Sequence, residues 1–254
     1  MVASLEGAPA EEKLPSKSSV SLSSLINRYQ WLVLAAIVSS LGFVPSTLAT
    51  LSKLGFAHLV HAVFAIGWIV VLSVQLHFLK RGCYRNHRYL GWLSLPVFAG
   101  MVVSAAYLLW LTAVAAFEQG AIFRQVYWVD FVLLPASVSF FVLGLVNIRK
   151  MPLHAGYMCM TAVVLIPPGL GRLIYVIFLY PLGLPLAWFF ELMAVLMLGM
   201  AAAIGIAEKW RLPPVRWTFV LLLITFITSY WVESHAWLQN LVREYFYLSA
   251  TSAH

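Results

Sequence analysis

The sequence predicts an all-α, polytopic membrane protein of seven transmembrane helices, with a cytoplasmic N-terminus and a core of helices two to five. Three observations carry that expectation. AVILMFWYC residues make up 62% of the 254-residue chain and charged residues 10%, whereas a soluble domain carries roughly 45–50% apolar residues and about 25% charged ones. Lipid can solvate that much apolar surface; a water-soluble fold of this length cannot hide it. Seven apolar runs follow one another, each near the ~20 residues that cross a hydrocarbon core of ~30 Å. The basic residues, finally, gather in alternate connections between those runs.

Residues 1–28 are polar and serine-rich, with Pro9, Pro15, Glu6, Glu11, Glu12, Lys13, Lys17 and Arg28, and read as a disordered cytoplasmic tail. The first apolar run is too long, and lacks the small-residue cleavage site, for a secretory leader. The membrane domain is expected over 29–240, with spans at 31–51, 57–79, 89–116, 129–148, 156–180, 186–206 and 217–237. Residues 241–254 form an extracytoplasmic tail. The runs lack the alternation of lipid-facing strands, which excludes a barrel. Pro45, Pro96, Pro135 and the Pro167-Pro168 pair fall inside spans and should kink them.

Orientation follows from the bases. The tail holds Lys13, Lys17 and Arg28, and the second connection holds Lys80, Arg81, Arg85 and Arg88. The fourth holds Arg149 and Lys150, and the sixth Lys209, Arg211 and Arg216, twelve in all. The opposite side holds three: Lys53, Arg124 and Arg243. The positive-inside rule puts the rich side in the cytoplasm. Tryptophans mark both interfaces, with Trp31, Trp92, Trp210 and Trp217 inside and Trp128, Trp188, Trp231 and Trp237 outside. Because the bases sit in short loops between spans, the net charge of +7 speaks for lipid headgroups rather than nucleic acid. The bilayer is the first expected partner, and a bacterial inner membrane the expected location. Cys83 and Cys159 fall toward the cytoplasmic side and read as reduced thiols without zinc spacing.

Charges inside spans are costly and mark candidate sites. Arg172 lies about 12 Å inside the outer end of the fifth run. It reads either as an arginine snorkelling to headgroups or as the partner of an acidic group, with Asp130 and Glu191 at similar depth. Histidines form two layers. His58, His61 and His235 (beside Glu233) lie near the outer face, and His77, His87 and His154 near the inner one. His58 and His61, at i and i+3, share a helical face, which suits metal ligation or interfacial hydrogen bonding equally. His61, Trp68 and Gln75 recur every seventh residue and form a stripe toward a neighbouring helix. His87 and His154 stand in matching contexts, each after a basic loop and at the start of an apolar run. Helices two–three and four–five therefore read as a repeat of one hairpin plan. Arg172 follows His154 by five helical turns, so one face of helix five presents a polar group toward each side.

The stretch HAVFAIGWIVVLSVQLHFLKRGCYRNHRYLG (61–91) resembles a hallmark of uncharacterised predicted bacterial membrane proteins. It has an early His, a late Gln, a basic loop and then His-Arg-x-Leu-Gly. RKMPLHAGYMCMTAVVLIPPGLGR (149–172) is similar to a second hallmark, Arg-x-x-Pro-x-His followed by a central Pro and a later Arg. More distantly, helices two to five resemble the four-helix core of cytochrome b561-type proteins, which hold two b haems between histidines. That resemblance implies His87 and His154 as one axial pair. Helix four offers no histidine to pair with His58 or His61, so the pattern accommodates one haem. Arg172 joins the cofactor-binding candidates as a partner for an acidic group such as a propionate.

Three functions compete. A redox protein would hold a b-type haem at His87 and His154 and exchange electrons with a redox partner or a quinone. An intramembrane hydrolase would hold zinc through an outer cluster of His58, His61, His235, Asp130 and Glu191, with Glu233 beside them, or would draw acid and base groups from it. A transporter or membrane assembly partner would have no chemistry of its own.

Overall fold

The computed structural model describes residues 22–49, 55–118 and 120–234, together with Asn240 and Glu244. The described chain is helical, with no strand. In order come α1 (Leu22–Ser40), α2 (Phe43–Ala49), α3 (Phe56–Lys80), α4 (Tyr84–Glu118), α5 (Ala121–Val146) and α6 (Met151–Val163). They are followed by α7 (Pro167–Ile174), a π-helical segment (Tyr175–Leu179), α8 (Tyr180–Leu182), α9 (Trp188–Ala207) and α10 (Pro213–Ser234). Among the described residues five helical stretches are long and apolar enough to cross a membrane: Phe56–Lys80, Tyr84–Ala113, Ala121–Val146, Trp188–Ala207 and Pro213–Val232. A sixth arises if Met151–Val163 and Pro167–Leu182, bent by 42°, count as one span. Large apolar side chains stay exposed along them, Val146 at 75% and Trp92 at 70% among them, as expected of surfaces that face lipid rather than water. The chain is thus a multi-pass membrane protein by its helices.

The expected first span is interrupted. The apolar stretch Tyr29–Pro45 is shorter than the other spans, and α1 stops at Ser40 before a turn at Leu41-Gly42. Helix five breaks as well: Val164, Leu165 and Ile166 take i−3 and i−4 hydrogen bonds, then Pro167 and Pro168 start α7 without N–H groups to continue the ladder. The two breaks meet. A Cβ on Gly42 would strike the Gly169 carbonyl oxygen, and one on Gly169 would strike the Ser39 carbonyl. The backbones of helices one and five therefore touch at a place only glycine allows.

Helix boundaries also move at the second connection. The expected loop before 89 shrinks to Arg81-Gly82-Cys83, because Gly82 turns the chain at φ +69° and α4 already starts at Tyr84. His87 and the bases Arg85 and Arg88 thereby become helical.

The core joins α3, α4, α5 and α6 around Trp68. Its ring centre lies 4.8 Å from Phe98 and 5.5 Å from Phe141, and the last two stack at 4.0 Å. Trp68 Nε1 donates to Thr161 Oγ1 at 3.1 Å, which satisfies an indole N–H on a residue that is 1% exposed. Helix α3 packs on α4 and α1, α5 on α4, α6 and α10, and α9 on α7 and α10. The buried core is not confined to the expected helices two to five: α1 adds Tyr29 and Val33, α9 adds Phe190 and Met197, and α10 adds Leu222 and Phe226 to the same cluster.

Candidate functional site

The seven-residue stripe of α3 is a hydrogen-bonded seam. At one end the His61 Nδ1 atom lies 3.1 Å from Ser104 Oγ on α4. Ser104 has one hydroxyl proton and lies 2.7 Å from the Gly100 carbonyl; with that proton given to the carbonyl, His61 Nδ1–H is the donor to Oγ. In the middle Trp68 reaches Thr161, and at the far end Gln75 Nε2 donates to the His87 carbonyl at 3.1 Å.

That far end gathers two of the three histidines expected near the inner face. His87, on the first turn of α4, and His154, on the first turn of α6, are half-buried. Their ring centres stand 6.3 Å apart with planes at 88°. The two histidines come from different hairpins, since α3 leads into α4 and α5 into α6. His154 Nδ1 donates to the Gly144 carbonyl on α5 at 2.8 Å. A carbonyl only accepts, so Nδ1 carries the proton and the neutral ring keeps its lone pair on Nε2. Among the described residues, His87 Nδ1 and Gln75 Oε1 are buried with no hydrogen-bond partner. Buried polar atoms are rarely left so, and both belong to this one layer.

Arg172 lies apart from the pair, on α7 beyond the helix break. Its Nη1 donates to the Pro168 carbonyl, four residues back, at 2.9 Å, and its guanidinium carbon lies 4.3 Å from the centre of the Phe43 ring. The side chain therefore runs back toward the break and away from the nearer helix end, the direction helical side chains favour. Asp130 on α5 is the acid whose charge acts on it, although among the described residues the two form no direct ion pair. Phe43 gave no sign in the sequence of its role beside Arg172, since only the fold brings α2 against α7.

The remaining outer candidates do not converge. His58 is exposed, His61 is taken by Ser104, and Glu191, at the start of α9, accepts from Tyr230 Oη at 3.3 Å. His235 lies outside the described residues. Among the described residues no three His, Cys, Asp or Glu side chains are grouped to hold a metal ion. Cys83 is exposed and Cys159 buried, both as free thiols.

Comparison with protein-family models, curated proteins and solved structures found no match for this chain.

Proposed function

We propose that the chain is a seven-span membrane protein with its N-terminus in the cytoplasm, and that it is an electron-transfer protein in which His87 and His154 would hold a single b-type haem. The reading rests on one observation, the 6.3 Å separation of two imidazoles delivered by separate hairpins. Two imidazoles this close could each offer a nitrogen to one metal centre. The His154 tether supports it further, because a ligating imidazole almost always gives its other N–H to a carbonyl or carboxylate. When bound, such a group supplies one-electron chemistry whose potential the protein tunes. The chain's own residues have defined parts. Gly144 orients His154, Gln75 holds the first turn of α4 through the His87 carbonyl, and the Trp68, Phe98 and Phe141 cluster keeps the next layer dry.

The test is a visible spectrum of the purified chain in mild detergent, oxidised and then reduced with dithionite. A Soret band with sharpened alpha and beta bands, lost in His87→Ala and His154→Ala, is the expected result. A colourless protein after expression with ample haem overturns the haem reading.

A second reading, solute transport, is favoured by a separate observation. Helices one and five are both broken, their breaks touch at Gly42 and Gly169, and Arg172 reaches back to that crossing. Discontinuous helices with an intramembrane charge are a recurring plan of solute sites in transporters. A colourless protein that takes up a labelled solute into vesicles, and loses uptake in Arg172→Gln, would favour this reading over the first.

A further inference from the structure

Outside the histidine layer, the first two turns of α4 carry an unexplained basic cleft. Tyr84, Arg85, Arg88 and Tyr89 line a shallow, open cleft on the outside of the helix. The Arg85 guanidinium carbon sits 5.6 Å from the centre of the Tyr89 ring, and both arginines are exposed. No Asp or Glu occurs in the sequence from Lys13 to Phe117, so neither α3 nor this end of α4 supplies a carboxylate to neutralise them. One turn further along α4, Trp92 is 70% exposed and Leu93 54% exposed.

These positions repeat at i and i+4, which stacks them along the helix. Arg85 stands before Tyr89 and Leu93, and Arg88 before Trp92. Charge, then aromatic ring, then aliphatic side chain follow one another along one face. A phospholipid has the same order, with an anionic phosphate, a polar–apolar boundary and acyl chains. A free phosphate would use the arginines and leave the aromatic and aliphatic rows without purpose.

We propose that this cleft is a binding site for the phosphate headgroup of an anionic phospholipid in the leaflet at this end of the bundle. Arg85 and Arg88 hold the phosphate, Tyr84 and Tyr89 flank it, and Trp92 with Leu93 bed the acyl chains. The proposal rests on the membrane reading and is independent of any haem.

The test uses the full chain in mild detergent, with retained lipid read by native mass spectrometry. Phosphatidylglycerol and phosphatidylcholine are titrated separately, the first also against millimolar inorganic phosphate. Phosphatidylglycerol is expected to bind preferentially, and Arg85→Gln/Arg88→Gln to weaken it by about tenfold or more. Arg149→Gln/Lys150→Gln, in the connection between α5 and α6, should leave it unchanged, and Arg85→Lys/Arg88→Lys should retain a clear share. Circular dichroism confirms that each variant keeps its helices, and the Lys variant carries the test should the Gln variant lose them. Equal binding of phosphatidylcholine, full retention in the Gln variant, or displacement by inorganic phosphate at equal concentration overturns the proposal. A chain that stays monodisperse in buffer without detergent overturns the membrane reading instead.

Discussion

The His154 imidazole donates from Nδ1 to the Gly144 carbonyl at 2.8 Å, and its ring centre lies 6.3 Å from that of His87. One bond orients the ring, and the neighbouring helix pair brings the second imidazole to it. Neither α4 nor α6 makes this arrangement alone; α5 supplies the carbonyl and α3 supplies Gln75 to the His87 turn.

The first prediction concerns that tether. Gly144→Ala keeps the carbonyl, but its Cβ meets the end of the Met158 side chain at 2.9 Å, so that side chain, one turn from His154 on the same face of α6, must swing aside and crowd the tethered ring. If the pair binds a haem, this variant should retain less of it at equal protein, while Met158→Ala combined with Gly144→Ala should recover part. The ratio of Soret to protein absorbance is the readout, and an unchanged ratio in the single variant removes the positioning role.

Trp68 and Thr161 give a second prediction. Thr161→Val leaves a buried indole N–H without its acceptor, which should cost about 1 kcal/mol in a detergent-unfolding titration. Trp68→Phe alone loses more, because the ring packs on Phe98 and Phe141. The double variant should be less destabilised than the sum of the two, since the hydrogen bond they share can be lost only once. Strict additivity counts against the hydrogen bond.

The glycines separate a crossing from open space. Gly169→Val should destabilise by about 1–3 kcal/mol, because its side chain meets the backbone of Ser39 rather than a movable side chain. Gly199 lies inside α9, where a Cβ would have nothing within 4 Å. It should accept Ala with no loss, or with a gain near ~0.5 kcal/mol from helix propensity. Equal melting temperatures for the two variants would contradict the crossing of helices one and five.

Arg172 and Asp130 should behave as a coupled pair. Arg172→Gln removes the cation and leaves the Asp130 carboxyl buried without it, and Asp130→Asn leaves the guanidinium without its acid. The double variant should be more stable than at least one single variant, because it removes both charges from low-dielectric surroundings. Additive losses in the same titration would show that the two charges do not depend on each other.

Topology is testable through the thiols. Cys83 is exposed on the turn between α3 and α4, and Cys159 is buried in α6. A membrane-impermeant maleimide should label Cys83 from the cytoplasmic face only, and Cys159 from neither. Labelling of Cys83 from the outside would invert the orientation read from the basic residues.

The sequence by itself determined that this chain lives in lipid and is helical. Apolar content and the ~20-residue length of the runs depend only on residue type and helical rise, so they are legible without any contact. It also singled out His87, His154, Arg172 and the His61–Trp68–Gln75 stripe, because polarity in an apolar run stands out at any fold. Where those residues go was decided only by tertiary structure. The same periodicity could have aimed the stripe at lipid or at any neighbour; packing sent it to Ser104, Thr161 and the His87 carbonyl. Spacing could not tell that His87 and His154 meet while Arg172 turns back to Phe43 and Pro168, since those distances run between helices far apart in the chain. The broken first and fifth helices show the same division. Pro167-Pro168 announced a weak point in the fifth run, whereas Gly42 did not stand out in the first, and only the contact of one backbone on the other made the two a crossing.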